Sequence, residues 1–224
     1  FNNLVTENDS INPFDMEFLY NGGGVAIGDF NNDSLPDIYF TASQVSNKLY
    51  LNKGNFSFRD ITEEANVTGE GRWCNAASVV DINNDGWQDI YVCASINKKP
   101  SKRTNLFYIN QGKQENGIPV FKEMAKEYNL ADPGFSVHAA FFDYDDDGVL
   151  DMYLVNTSLA DRNGTRFDGG NTENTLFASD KLFRNDGSAT PGGIAAFTDV
   201  STQAGIRDEG FGLGVGIADL NQDG

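Results

Sequence analysis

Short apolar segments recur along the chain in groups of four, with Asn, Asp and Gly concentrated between them. The first two segments of a group place apolar residues at consecutive positions, as in Val25-Ala26-Ile27 and Ile90-Tyr91-Val92. A strand with one solvated face alternates apolar and polar residues, so consecutive apolar positions indicate strands that are buried on both faces. Each group therefore predicts a four-stranded antiparallel meander that is covered on both sides.

The groups are copies of one repeating unit. The first segments are rich in small residues: GGGVAIG (22–28), CNAASVV (74–80), SVHAAFF (136–142) and GLGVGIA (212–218). The third segments align without gaps: NKLYLNKG (47–54), NLFYINQG (105–112) and DKLFRNDG (180–187). The fourth segments are FRDITEEANV (58–67), FKEMAKEYNL (121–130) and FTDVSTQAGI (197–206). A repeated meander that is buried on both faces is typical of a propeller blade packed between its neighbours.

We therefore expect an all-β fold, a β-propeller of four-stranded antiparallel blades with the small residues of the first strand at the crowded axis. The expected units are an outer strand of a preceding blade (1–19), three blades (20–67, 68–131, 132–207) and the first strand of a next blade (208–224). The chain begins with Phe1 rather than Met, which suggests a processed protein or a fragment, and we expect the protein to continue beyond Gly224. A linear β-solenoid is the alternative, although its repeats are usually shorter.

The composition excludes several function classes. A formal net charge of −17, from 33 acidic and 16 basic residues, argues against nucleic acid as a partner, since phosphates need Lys and Arg. No apolar run approaches the roughly 20 residues that a membrane-spanning helix needs. The two cysteines, Cys74 and Cys93, fall at the same end of one predicted hairpin, so a disulfide and a pair of buried thiols are both open.

An acidic loop of the form D-x-[DN]-x-D-x-x-x-D links the first two segments of each unit. Side-chain oxygens at positions 1, 3, 5 and 9 and a carbonyl oxygen at position 7 can wrap a cation, and calcium is the hard cation that takes six to eight such oxygen ligands. Softer metals would need His or Cys, which these loops lack. The predicted calcium ligands are Asp29, Asn31, Asp33, Leu35, Asp37; Asp81, Asn83, Asp85, Trp87, Asp89; Asp143, Asp145, Asp147, Val149, Asp151; and Asp219, Asn221, Asp223.

The copies of this loop differ. The third loop carries an additional acid, Asp146, which should strengthen binding unless charge repulsion outweighs it. The first loop has Ser34 at position 6, where the others have Gly, so its bend is the least certain. The fourth lacks a carboxylate at position 9 and is expected to be empty. Asp-Gly turns also form without a metal, which explains one such loop more easily than several.

The segments G-x-G-V-A-I-G-D-F-N-N-D and G-L-G-V-G-I-A-D-L-N-Q-D resemble the FG-GAP repeats of integrin α-subunit propellers. They are similar also to the VCBS-type repeats of bacterial surface proteins and cartilage acidic protein, which are often joined to an ASPIC/UnbV segment. The resemblance implies a propeller of about seven blades, calcium at each hairpin between the first two strands, and an extracellular or cell-surface setting. The ASPIC/UnbV segment itself is not visible in this sequence.

The site pattern favours a binding or scaffold module over an enzyme. Each calcium would be held by one nine-residue stretch, which leaves little room for a substrate. His138, the only histidine, lies in a first strand, where a buried structural role is more common than catalysis, and no nucleophile motif appears. The alternative is a calcium-dependent polysaccharide lyase or another glycan-active enzyme on a propeller scaffold.

A partner, protein or carbohydrate, is expected on the face opposite the acidic loops, because metal-binding turns have little freedom to vary. That face receives the connections between second and third strands and between successive units. The candidate partner-binding residues are Arg72, Trp73, Lys98, Lys99, Lys102, Arg103, Arg162 and Arg166. Arg and Trp are enriched at binding hot spots. Solvated loops without a partner are the simpler interpretation of the same residues.

Overall fold

The recurring apolar segments fold as three four-stranded antiparallel sheets, in which each strand pairs with the next along the chain. The computed structural model describes residues 1–9, 11–13, 19–97, 99–157, 177–190, 193–206 and 212–218. We call the sheets blades 1, 2 and 3. Their strands are β1 (Val25–Gly28), β2 (Asp37–Phe40), β3 (Lys48–Asn52) and β4 (Phe58–Asp60); β5 (Trp73–Val80), β6 (Asp89–Ser95), β7 (Leu106–Lys113) and β8 (Pro119–Glu123); and β9 (Ser136–Phe142), β10 (Asp151–Asn156), β11 (Lys181–Asn185) and β12 (Phe197–Asp199).

The helical content is small. One short helix, α1 (Thr62–Ala65), follows β4, and a 3-10 turn (Pro100–Lys102) lies between β6 and β7. Among the described residues, no helix is long and apolar enough to span a membrane. The predicted all-β fold of four-stranded antiparallel blades is confirmed. Closure into a ring of about seven blades and the exact limits of each unit stay predictions.

Two apolar cores lie between the blades. Alternate residues of β6 serve different cores: Ile90 and Val92 pack with blade 1, whereas Tyr91 and Cys93 pack with blade 3. This is the period of two that a strand buried on both faces requires. Every β6 residue is buried, which explains why the segment shows no polar alternation.

The first strands of successive blades contact one another, and small residues allow their close approach. A Cβ atom on Gly24 would lie 2.7 Å from the Cα atom of Ala76 in the next blade. A Cβ on Gly212 would similarly lie 2.4 Å from Cγ1 of Val155. A larger residue at Gly24 would force blades 1 and 2 apart, and a larger residue at Gly212 would push the 212–218 segment away from β10.

The two cysteines are buried free thiols on opposite sides of blade 2. A register shift in the β5–β6 pairing between Cys74 and Ala76 pairs Cys74 with Ala94 and Ala76 with Cys93. Cys74 therefore packs in the core shared with blade 1, and Cys93 packs in the core shared with blade 3. Of the two alternatives left open by the sequence, the structure has buried thiols.

The segments at the two ends are less regular than the blades. In the described part of 1–19, an isolated bridge between Asn8 and Ile11 is the β-pairing present, and the outer strand expected for this segment stays a prediction. Residues 212–218 run beside blade 3, where the Val215 N–H donates to Nδ1 of His138 (3.2 Å), without assignment as a strand. On the side of blade 1 away from blade 2, Ile27 and Phe56 expose 63% and 99% of their surface.

Candidate metal centre

The three acidic loops connect the first two strands of each blade and share one hydrogen-bonding pattern. The carboxylate at position 1 accepts hydrogen bonds from the main-chain N–H groups of positions 5 and 6. For Asp81 these bonds are 3.0 Å from Asp85 and 2.8 Å from Gly86. The corresponding distances for Asp29 and Asp143 lie between 2.7 and 3.1 Å. The position 5 carboxylate accepts in turn from the N–H of position 7, at 2.8 to 3.0 Å.

Two left-handed residues, at positions 4 and 6, curl each loop around its carboxylates. Position 6 is Gly86 or Gly148 in two loops, with φ of 84° and 87°. Ser34 takes the same conformation in the first loop, with φ of 68°. The bend that the sequence left least certain therefore forms with Ser, at the steric cost that an L residue has in this region.

The carboxylates at position 9 are fully buried and anchor the loop to the sheet. Asp37, Asp89 and Asp151 each accept a hydrogen bond from the main-chain N–H of position 2, at 2.9 to 3.1 Å. Their second oxygens accept from the N–H of a residue in the third strand, at 2.7 to 2.8 Å. Position 9 thus fixes the start of the loop against the blade.

Burial and crowding of negative charge raise the pKa of these buried carboxyls. Desolvation, followed by smaller repulsion from the other loop carboxylates, raises the pKa of Asp37 to about 6 and that of Asp89 to about 7. The pKa of Asp151 is raised for the same reasons, with Asp145 and Asp147 as the charged neighbours. Carboxylates gathered in this way gain from a cation that offsets their repulsion.

The loops offer oxygen donors of the kind that calcium takes. Oδ1 of Asn31, at position 3, is buried and has no hydrogen-bond partner within the described part of the chain. Its Nδ2 group donates to Asp33 (2.9 Å), which leaves the amide oxygen as a free acceptor within the loop. In the third loop, Asp143, Asp145 and Asp151 each place an oxygen within 4.8 Å of the others. Hard oxygen acceptors at positions 1, 3 and 9 with this spacing fit calcium, and the ligand role predicted for position 5 stays a prediction.

Sequence reasoning missed three asparagines that support the loops from the third strands. Asn52, Asn110 and Asn185 supply the N–H groups that position 9 accepts, and their side-chain amides donate to the carbonyl oxygen of position 8 at 2.9 to 3.2 Å. The signal was present in the alignment, because all three occupy the same place in NKLYLNKG, NLFYINQG and DKLFRNDG.

The candidate partner residues divide into buried and exposed ones. Trp73 is 9% exposed, and Arg103 is 3% exposed with its guanidinium 4.3 Å from the ring centre of Phe135. Both side chains are buried, and Arg103 packs on an aromatic ring, so they are less suited to a partner contact than the sequence suggested; their partner roles stay predictions. Arg72 is half-buried and pairs with Glu70 (2.6 Å).

Lys99 and Lys102 are exposed, as a partner surface requires. The other candidates, Lys98, Arg162 and Arg166, lie outside the described residues, as do Asp219, Asn221 and Asp223 of the fourth loop. The proposed ligand and partner roles of all these residues stay predictions. His138 is partly buried and accepts the N–H of Val215, which suits the structural role expected for it.

Residues 29–92 match the family model described as FG-GAP-like repeat. The match begins at the first residue of the first acidic loop and ends in β6, so it includes two of the three described loops.

The chain is also similar to curated proteins of animals and a protozoan parasite. It is 31% identical over 161 residues to a T-cell immunomodulatory protein homolog of Plasmodium yoelii yoelii, covering 66% of this chain and 22% of that protein. It is 29% identical over 136 residues to cartilage acidic protein 1 of Mus musculus, and 30% over 137 residues to that of Homo sapiens, each covering 59% of this chain and 20% of the relative. The chain thus spans about a fifth of the length of these relatives.

Proposed function

From the premise that this chain carries FG-GAP-like repeats, we propose that it is a calcium-binding propeller segment of an extracellular or cell-surface protein that binds a protein or glycan. Calcium would hold the turn between the first two strands of each blade, and the partner would bind the opposite face. The observation that carries the calcium role is the threefold repetition of one loop geometry, with a buried acceptor, Oδ1 of Asn31, left without a donor.

The proposed role of calcium is structural. The ligands at positions 1 to 9 come from one loop, and position 9 is joined to the third strand through hydrogen bonds. An ion bound there would tie the first three strands of a blade together and neutralise the crowded carboxylates. Binding at about 100 times the dissociation constant would add roughly 2.7 kcal/mol to the free energy of unfolding per site.

Several features support a non-enzymatic role outside the cytoplasm. Neither of the relatives' names denotes an enzyme, and one of them, cartilage acidic protein 1, points to an extracellular tissue. His138 is partly buried, and its Nδ1 is occupied as the acceptor of the Val215 N–H. Weak calcium sites of extracellular modules are filled by the calcium of their surroundings, with dissociation constants of about 10⁻⁴–10⁻³ M.

Thermal unfolding in calcium and in EDTA tests this proposal. We expect a lower melting temperature in EDTA, and we expect Asp85→Ala to reduce the difference between the two conditions. Glu127→Ala is the matched control, because Glu127 is an exposed acid outside the loops. Equal melting temperatures in calcium and EDTA for the unchanged chain would contradict a structural role of calcium.

A further inference from the structure

A cavity of about 340 Å³ opens on the side opposite the acidic loops, where the first strands begin and the second strands end. Its walls come from all three blades and from the 212–218 segment. The residues that carry the argument are Asn75, Ser95, Ile96, Val137, Thr157 and Leu213. Its volume is at the lower end of the range of small-ligand pockets, which is roughly 300–1,000 Å³.

Two hydroxyl groups of residues that line this cavity have no hydrogen-bond partner among the residues described. The Ser95 and Thr157 side chains are 1% and 3% exposed, and both Oγ and Oγ1 are buried atoms without a donor or acceptor. A buried hydroxyl without a partner costs about 1–3 kcal/mol, and most such groups in native proteins are satisfied. They occupy equivalent places in two blades, at the end of β6 and directly after β10. Both residues line the cavity, so a ligand that enters it can satisfy both hydroxyls once they turn toward it.

The backbone beside Ser95 is held in an unfavourable conformation. Ile96 has φ of 64°, a region that a β-branched residue rarely adopts, and the Asn97 N–H donates to the Ser95 carbonyl oxygen (2.8 Å) across this tight turn. The turn directs Ile96 to the cavity wall, where it is partly exposed. Strain of this kind is concentrated at ligand sites.

The chemistry of the walls selects the class of ligand. Among the residues that the structure describes, the cavity lining has no charged side chain to pair with a metal ion or a strongly charged group. An anion would also meet the field of a chain with a net charge of −17. The walls combine hydroxyl and amide groups with the apolar side chains of Ile96, Val137 and Leu213. A neutral sugar ring offers the complement, since it has hydroxyls that donate and accept and C–H faces that pack on apolar residues.

We propose that this axial cavity binds a neutral sugar unit, with the hydroxyls of Ser95 and Thr157 as its hydrogen-bonding groups. This inference rests on the proposed binding function, and it names the class of ligand that the protein would bind. It does not depend on calcium as a ligand of the sugar, because the acidic loops lie at the other end of the strands. The sugar can be a free saccharide or the terminal unit of a larger glycan.

The test is an NMR titration of the full chain in saturating calcium with glucose, galactose, mannose, fucose and N-acetylglucosamine, with glucuronic acid as the charged comparator. We expect saturable binding of at least one neutral sugar and none of glucuronic acid. Ser95→Ala and Thr157→Val should each weaken that binding about 3- to 10-fold, the effect of one net hydrogen bond. Ser101→Ala, an exposed hydroxyl in the nearby 3-10 turn, is the control and should change nothing.

The same variants separate a ligand site from a structural one. Removing an unsatisfied hydroxyl leaves folding intact or improves it, so the melting temperature of Thr157→Val should equal or exceed that of the unchanged chain. Tighter binding of immobilised neutral glycans than of the free sugar would identify the terminal unit of a glycan as the source.

A cavity that holds only water would show no saturable change with any neutral sugar, and that result would overturn the proposal. Sugar binding that survives both substitutions would overturn it as well. Neither failure would alter the calcium dependence of unfolding, which tests the proposed function separately.

Discussion

The side-chain amide of Asn110 donates a hydrogen bond of 2.9 Å to the main-chain oxygen of Phe30, which lies 80 residues earlier in the first acidic loop. The same amide donates to the oxygen of Gln88 in the second loop, at 3.2 Å. Asn110 therefore joins two successive loops, whereas Asn185 makes the corresponding bond to Leu150 of its own loop.

We expect Asn110→Ala to lower the free energy of unfolding by about 2–3 kcal/mol, because it removes the donor from the buried carbonyl oxygen of Phe30 and from the partly buried one of Gln88. Asn185→Ala is the matched control and should cost less, since its amide serves one loop. Urea unfolding of both variants in calcium measures the difference. Equal losses would show that the bond between blades 1 and 2 contributes nothing.

Ser34→Gly should stabilise the first loop, because Ser34 has φ of 68° where the other loops have Gly. The expected gain in the free energy of unfolding is about 0.5–1 kcal/mol. Gly86→Ala is the reverse test and should lose about 1 kcal/mol through φ alone, since no atom lies within 4 Å of its added Cβ. Thermal unfolding in EDTA measures both changes without a contribution from the ion. No gain for Ser34→Gly together with no loss for Gly86→Ala would argue against strain at position 6.

The repeat predicts the strands and loops well because both follow from local patterns. Consecutive apolar residues predicted β6, and the spacing of Asp81, Asp85 and Asp89 predicted the curled loop. The burial of Arg103 could not be predicted, because its partners Phe135 and Phe177 belong to a later unit. The placement of the two cysteines on opposite sides of blade 2 depends on the register shift between Cys74 and Ala76. The sequence shows only that the two cysteines lie at unequal distances from the ends of the acidic loop.

The pH dependence of stability should reverse its sign when calcium is added. In the unfolded chain Asp89 has a pKa near 3.9, whereas burial raises it to about 7 in the calcium-free fold. The calcium-free fold then binds more protons than the unfolded chain. The stability that protonated Asp89 contributes is therefore fully present below about pH 4 and is lost as pH rises through about 7. Calcium binds the ionised carboxylate, so its stabilisation should grow over the same window.

Melting temperatures of the unchanged chain and Asp89→Asn, each measured in EDTA and in calcium from pH 5 to pH 8, isolate this effect. In EDTA, the unchanged chain should lose stability relative to Asp89→Asn as pH rises. In calcium, the unchanged chain should gain stability relative to Asp89→Asn as pH rises. The same slope in both conditions would contradict the assignment of Asp89 as a calcium ligand.

Both thiols should be unreactive in the folded protein and free after unfolding. Cys74 and Cys93 are buried, and burial raises the pKa of Cys74 to about 11 and that of Cys93 further. Thiolate is the reactive form, so native protein should react slowly with a thiol reagent. Denatured, unreduced protein should react with two equivalents of the thiol reagent. Reaction with none would indicate a disulfide between the two cysteines and would contradict the free thiols of the structure.

The central claim is that the three described loops bind calcium, and calorimetric titration of the chelator-treated chain measures this most directly. We predict saturable binding, with one site removed by each of Asp29→Ala, Asp81→Ala and Asp143→Ala, which replace the carboxylate at position 1. Glu127→Ala should keep every site. Absence of saturable calcium binding by the folded chain up to about 10 mM, which is beyond the weakest extracellular sites, would contradict the account.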